Sequence, residues 1–138
     1  MIAFIDSSVL LRKLLGEKGA LKEWSGIRTA YVSRLLMLEI GRVIDRLRLS
    51  GDIDDVGVVQ LHDDTRRALA SAIVVPVSER ILRRAQGPMP TTLGSLDAIH
   101  LASAIEVAAK IERQPVFATH DAQLARAAQA SGLVVYGV

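Results

Sequence analysis

Apolar positions along this chain fall into two alternating rhythms. Short, nearly continuous runs at Ile2 to Ile5, Thr29 to Val32, Ile73 to Val75, Pro115 to Ala118 and Leu133 to Tyr136 read as strands. Between them the spacing shifts to three and four residues, the period of a helix with one apolar face. Helices are predicted over Val9 to Leu15, from a Ser33 cap to about Leu49 with Gly51 as the stop, over 52–72, in a short basic stretch opened by Ser78, from a Ser95 cap to about Arg113, and over Asp121 to Ala130 ahead of Gly132. A short amphipathic piece around Trp24 follows Gly16 and Gly19. Gly87-Pro88-Met89-Pro90-Thr91-Thr92 is the clearest loop, because two prolines and a glycine do not propagate a helix. Strands alternating with helices imply an α/β fold with a parallel sheet covered on both sides.

Length and composition narrow the class. At 138 residues the chain suits a single domain spanning 1–138, and half its residues are hydrophobic, which excludes disorder. With no cysteine, disulfide frameworks, thiolate zinc sites and cysteine nucleophiles are excluded. No apolar run approaches the roughly 20 residues of a membrane span, and Met1 to Asp6 has neither the basic flank nor the apolar length of a signal peptide. A cytoplasmic location is expected. The net charge is only +2, but 13 of the 17 basic residues are arginine, the side chain better shaped for bidentate contact with phosphate or carboxylate.

Four acids stand out by position. Asp6 directly follows the first strand and Asp121 closely follows the fourth; in open α/β sheets ligands bind outside those carboxyl ends. Both residues equally suit a helix N-cap. Glu39 lies at the edge of the apolar face formed by Leu36, Ile40, Val43, Ile44 and Leu47, where a carboxylate needs a partner; a salt bridge to a neighbouring arginine is the simpler explanation. Asp97 aligns with Leu101, Ala104, Ala108 and Ile111 and so heads the inward stripe of its helix, while Ser103, Glu106, Lys110 and Arg113 are expected to be solvated. A first-turn acid is favoured by the helix macrodipole, which does not account for the inward direction. Carboxylates brought together repel one another, and a hard divalent cation, Mg²⁺ or Mn²⁺, relieves that repulsion. His62, His100 and His120 are scattered without a zinc-ligand spacing. His100 is expected to be half-buried against a carbonyl or carboxylate, His120 to lie on a loop surface, and the arginine-rich pieces to be solvated helix faces, some of them contacting phosphate.

The segments Asp6 to Leu11, Ser33 to Glu39, Leu96-Asp97-Ala98-Ile99-His100-Leu101-Ala102 and Ala118-Thr119-His120-Asp121-Ala122-Gln123-Leu124 resemble, in order and separation, the four motifs of PIN-domain nucleases. The compact length and the Asp-Ala-x-His-Leu-Ala segment are similar to VapC toxins of type II toxin–antitoxin pairs. The resemblance implies a Rossmann-like three-layer fold with strand order 3-2-1-4-5 and an Mg²⁺-dependent endoribonuclease, Mn²⁺ being able to substitute. Asp6, Glu39 and Asp97 match the family's three core acids, Asp121 a more variable fourth, and Thr119 a Thr/Ser position expected to orient an acid or a water; Ser7 falls at a position that is often Thr or Ser. A cognate VapB-type antitoxin is implied as partner, its carboxyl-terminal tail placing a cation among the acids and its own domain reading DNA. A homodimer is expected as well, consistent with the positive mean hydropathy. Two alternatives fit the same residues less well. A haloacid-dehalogenase-like phosphoryl-transfer enzyme needs a second Asp where Ser8 stands, and a non-catalytic scaffold leaves the intact acids without a purpose.

Overall fold

The computed structural model describes residues 1–138. In chain order the elements are β1 (Ile2–Ile5), α1 (Ser7–Leu14), a 3₁₀ turn at Lys22–Gly26, β2 (Thr29–Ser33), α2 (Leu35–Ser50), α3 (Asp55–Leu69), β3 (Ile73–Val75), α4 (Glu79–Gln86), α5 (Ser95–Ala108), β4 (Val116–Ala118), α6 (Ala122–Ala130) and β5 (Val134–Tyr136). Each predicted element is present, and most boundaries differ by a few residues because capping decides them. Ser33 accepts from the Leu35 amide at 3.2 Å, Asp54 from Gly57 at 2.8 Å, and Ser78 from Ile81 at 3.3 Å. Gly51 ends α2 in the left-handed region. Ser95 is not a cap: it is the first helical residue of α5, after Gly94, and no side chain caps that end. Helix α5 also stops five residues before the expected Arg113, where the Lys110 amide folds back onto Val107 O at 2.9 Å and Pro115 leads into β4.

All strands pair in parallel, in the order β3-β2-β1-β4-β5. Alternation along β1 divides the core in two. Ala3 and Ile5 point to one face, where Val9 and Leu10 of α1 and Leu36, Ile40 and Ile44 of α2 cover them. Phe4 points to the other, stacking on Phe117 with ring centroids 5.8 Å apart, under Leu101, Ala104 and Val107 of α5 and Leu124, Ala127 and Ala128 of α6. The result is three layers with the central strand sealed on both faces. No helix is long and apolar enough to cross a membrane.

One expectation fails on α5. Ser103 and Glu106 are buried rather than solvated. Helix α4 packs over that side, and its Arg80 and Arg84 reach Glu106 at 3.0 and 3.6 Å, so the carboxylate is buried with two guanidinium partners. Ser103 returns its hydroxyl to Ile99 O at 2.7 Å. A helix covered by the sheet on one side and by another helix on its opposite side cannot be divided into wet and dry faces from its own sequence.

Candidate active site

Strand order reverses beside β1: the chain first builds outward through β2 and β3, then crosses back to β4 on the other side. The crevice at that reversal, beyond the carboxyl ends of β1 and β4, is where α/β sheets bind ligands. Asp6 and Thr119 leave those two strands side by side. The Asp6 amide donates to Ala118 O at 2.9 Å, and the Thr119 hydroxyl donates to Asp6 Oδ2 at 3.0 Å. Ser8 adds two more donors to the same oxygen, its amide at 3.3 Å and its hydroxyl at 2.5 Å. Asp6 is therefore an N-cap, as its position allowed, and its Oδ2 is saturated. Its Oδ1 faces the imidazole of His100, 4.0 Å away.

The loop after β4 is built as tightly. Thr119 Oγ1 accepts from the Asp121 amide at 3.0 Å, and Ser8 Oγ accepts from the His120 amide at 3.0 Å. Asp121 Oδ1 caps α6 by accepting from Gln123 and Leu124 at 2.7 and 2.8 Å, while the residue stays solvent-exposed. Gly137, at φ 105°, lies against this loop; a Cβ there would sit 2.5 Å from Thr119 O. Its carbonyl accepts from His120 Nδ1 at 2.6 Å. His120 is thus a half-buried brace for the loop, not the free surface residue expected.

Glu39 and Asp97 arrive from two helices. Glu39, on α2, takes a 2.6 Å hydrogen bond from His100 Nε2 instead of the arginine salt bridge considered from sequence. Asp97, in the first turn of α5, is half-buried with a carboxyl held above its usual range. Burial is the largest cause, followed by the negative charges of Asp121, Asp6 and Glu39, which outweigh the opposing effect of His100. That coupling places all four acids in one electrostatic neighbourhood. No lysine or arginine pairs with any of them; His100 is the one cationic group in contact. His100 is fully buried, more so than expected. Burial pushes its imidazole down, but the Glu39 hydrogen bond and the charges of Asp6, Glu39 and Asp97 push it up further, so it stays protonated above the usual histidine range.

Sequence reasoning missed one member of the site. Ser8, not the flagged Ser7, braces Asp6; the Asp-x-Ser spacing of an N-cap turn was the available signal. Ser7 instead lines an adjoining groove with Leu38, Glu39, Arg42 and Arg46. A second groove lies between β3, α4 and α5, and its single acid, Glu106, is already paired.

A family model described as the PIN domain matches residues 3–130. The chain belongs to the PIN domain family. Its likeness to Ribonuclease VapC47 of Mycobacterium tuberculosis (strain CDC 1551 / Oshkosh) is 28% identity over 95% of this chain and 93% of the relative. Two solved structures share its fold at low identity. FitAcB from Neisseria gonorrhoeae gives a TM-score of 0.71 at 14% identity, covering 98% of this chain and 96% of that one. VapBC2 from Rickettsia felis, bound to a DNA fragment from their promoter, gives 0.65 at 12%, covering 98% and 97%. In this PIN domain the strand order is the one the motif resemblance implied.

The donor set fits a hard divalent cation in chemistry more than in present geometry. As the side chains stand, no three acid or imidazole groups close around one point at ligand distance. The available atoms are nevertheless carboxylate oxygens, Asp97 feels repulsion from three other acids that His100 offsets only in part, and Mg²⁺ commonly binds through one or two carboxylates while keeping several waters.

Proposed function

We propose that the protein is the VapC-type toxin of a toxin–antitoxin pair, an endoribonuclease that hydrolyses RNA phosphodiester bonds with Mg²⁺, or Mn²⁺ in its place. What supports this reading most is that Asp97, near the sheet's reversal point, feels the charges of Asp121, Asp6 and Glu39, while no lysine or arginine forms an ion pair with any of the four. Family membership and the likeness to a protein named Ribonuclease VapC47 support it. Asp97, with the free oxygens of Asp6, Glu39 and Asp121, would hold the ion. When bound, such an ion polarises a phosphate oxygen and lowers the pKa of a coordinated water for in-line attack.

The chain's own residues supply the rest. Thr119 and Ser8 fix the Asp6 carboxylate so that only Oδ1 is turned toward the cleft. Asp121 spends one oxygen on capping α6 and keeps the other. Arg42 and Arg46, one turn apart on α2 in the groove beside Glu39, suit the phosphates of an RNA strand leading to the acids. A VapB-type antitoxin is the expected inhibitor, since an arginine fork placed among these carboxylates would compete with the ion. The solved neighbour VapBC2 from Rickettsia felis supports a partner of that kind. A homodimer is part of the same proposal.

The test is RNA cleavage by purified chain freed of partner, with Mg²⁺, with chelator, and with Asp97→Asn. Cleavage is expected with Mg²⁺ only and to disappear in Asp97→Asn, whose metal-free fold melts no lower than wild type because one repelling charge is gone. Cleavage that persists in chelator refutes the metal mechanism. Turnover of a small phosphate monoester without RNA cleavage favours the phosphoryl-transfer alternative, and no turnover of either favours the scaffold.

A further inference from the structure

His100 belongs to no group of residues so far given a role in the chemistry. It is the largest polar side chain in the fully buried core, and its ring separates two of the four acids. Nε2 donates to Glu39 Oε2 at 2.6 Å. Nδ1 has no hydrogen-bond partner although it is completely buried, an uncommon state for a polar atom, and it looks onto Asp6 Oδ1 across 4.0 Å. That gap exceeds a hydrogen bond. His100 follows Asp97 by three residues on α5, so both project from one face of the helix. One helix face thus delivers an acid to the cleft and, behind it, a ring that bonds the acid on α2 and faces the acid that follows β1. The ring is too enclosed to meet a phosphate, so its work is on the carboxylates.

Resting on the reading of these acids as ion ligands, we infer that His100 is a positioning residue that holds Glu39 through Nε2 and sets its separation from Asp6. Glu39 is a three-torsion side chain on a partly open helix face, and a free glutamate loses rotamer entropy when fixed. Tied to a ring locked in the core, it is ordered before an ion arrives, with Oε1 left available. Groups that orient metal ligands from behind commonly contribute 10–100-fold in affinity.

Two substitutions separate the ring nitrogens. In His100→Gln the amide nitrogen falls near the place of Nε2 and retains the Glu39 bond; in His100→Asn it falls near Nδ1 and leaves Glu39 unheld. Calorimetric titration of the full chain with Mn²⁺ should show affinity about 10–100-fold weaker in His100→Asn, with His100→Gln within about threefold of wild type. Unchanged affinity in His100→Asn overturns the inference, and so does an equal loss in both variants, which would mean the ring only fills space. Absence of Mn²⁺ binding by wild type removes the metal reading of the site along with it. If His100→Asn does not fold, ¹⁵N resonances of the wild-type ring decide: Nε2 should shift as Mg²⁺ is added, and an Nε2 signal unmoved at saturation sinks the proposal.

Discussion

Thr119 offers the sharpest test of how the site is held. Its side chain is fully buried and its hydroxyl does two things at once, donating to Asp6 Oδ2 at 3.0 Å and accepting from the Asp121 amide at 3.0 Å. Thr119→Val keeps the volume and removes both bonds. A hydrogen bond to a charged group contributes about 1.5–3 kcal/mol and a neutral one about 1. Asp6 Oδ2 keeps its two Ser8 donors, and the amide of exposed Asp121 can turn to water, so the loss should fall near the lower end, about 2 kcal/mol. With an unfolding entropy of about 2.1 cal/mol/K per residue, or ~0.3 kcal/mol/K for this chain, that corresponds to a melting temperature lower by about 7 °C. RNA cleavage with Mg²⁺ should fall further than the folded fraction, by about 10–100-fold, because Asp6 loses its cross-strand brace. Thr119→Ser keeps the hydroxyl and should stay close to wild type in activity, losing only the packing of a methyl group. Scanning calorimetry and a fluorogenic RNA assay on the three proteins read both quantities. If valine leaves melting and cleavage unchanged, or serine damages cleavage as much as valine, the hydroxyl does not position the acid and the reasoning is wrong.

Two further outcomes follow from the same geometry. In chelator the fold should lose stability as pH rises: His100 and Asp97 both have folded-state values raised above 6.5 and 3.8, so each contribution is complete below that unfolded value and is lost as pH climbs through the higher folded one. Melting curves in chelator should therefore fall as pH rises above 3.8 for the Asp97 part and above 6.5 for the His100 part, and saturating Mg²⁺ should flatten the trend; a rise above pH 6.5 contradicts the assigned causes. Gly137→Ala should destabilise by about 1–3 kcal/mol, since the new methyl meets Thr119 O in a left-handed backbone. Chemical denaturation checks it, and an unchanged midpoint would mean the β5 end moves freely away from the loop.

How far the chain could be read without its structure depends on which forces are local. Element order was legible because strand and helix periods are properties of consecutive residues, and stops such as Gly51 act within one turn. Asp6 and Asp121 were legible as acids at strand ends, and both do cap helices, so the structural and chemical readings hold together for each residue. Residue spacing alone left strand order open. The order 3-2-1-4-5 came from the motif resemblance, because short strands of similar composition do not encode their neighbours.

What only the tertiary structure decided lies where one element depends on another. Glu106 read as solvated from the α5 pattern, yet α4 closes over it and brings Arg80 and Arg84. Glu39 stood at the edge of an apolar face and looked for an arginine, but its partner is His100, 61 residues away along the chain. Ser8, rather than Ser7, joins Asp6 because the first turn of α1 rotates it toward Thr119. Hydrophobic periodicity is written in the sequence because burial acts on each helix or strand face separately; the pairing of a buried polar group is not, because its partner is chosen by packing between elements distant in the chain.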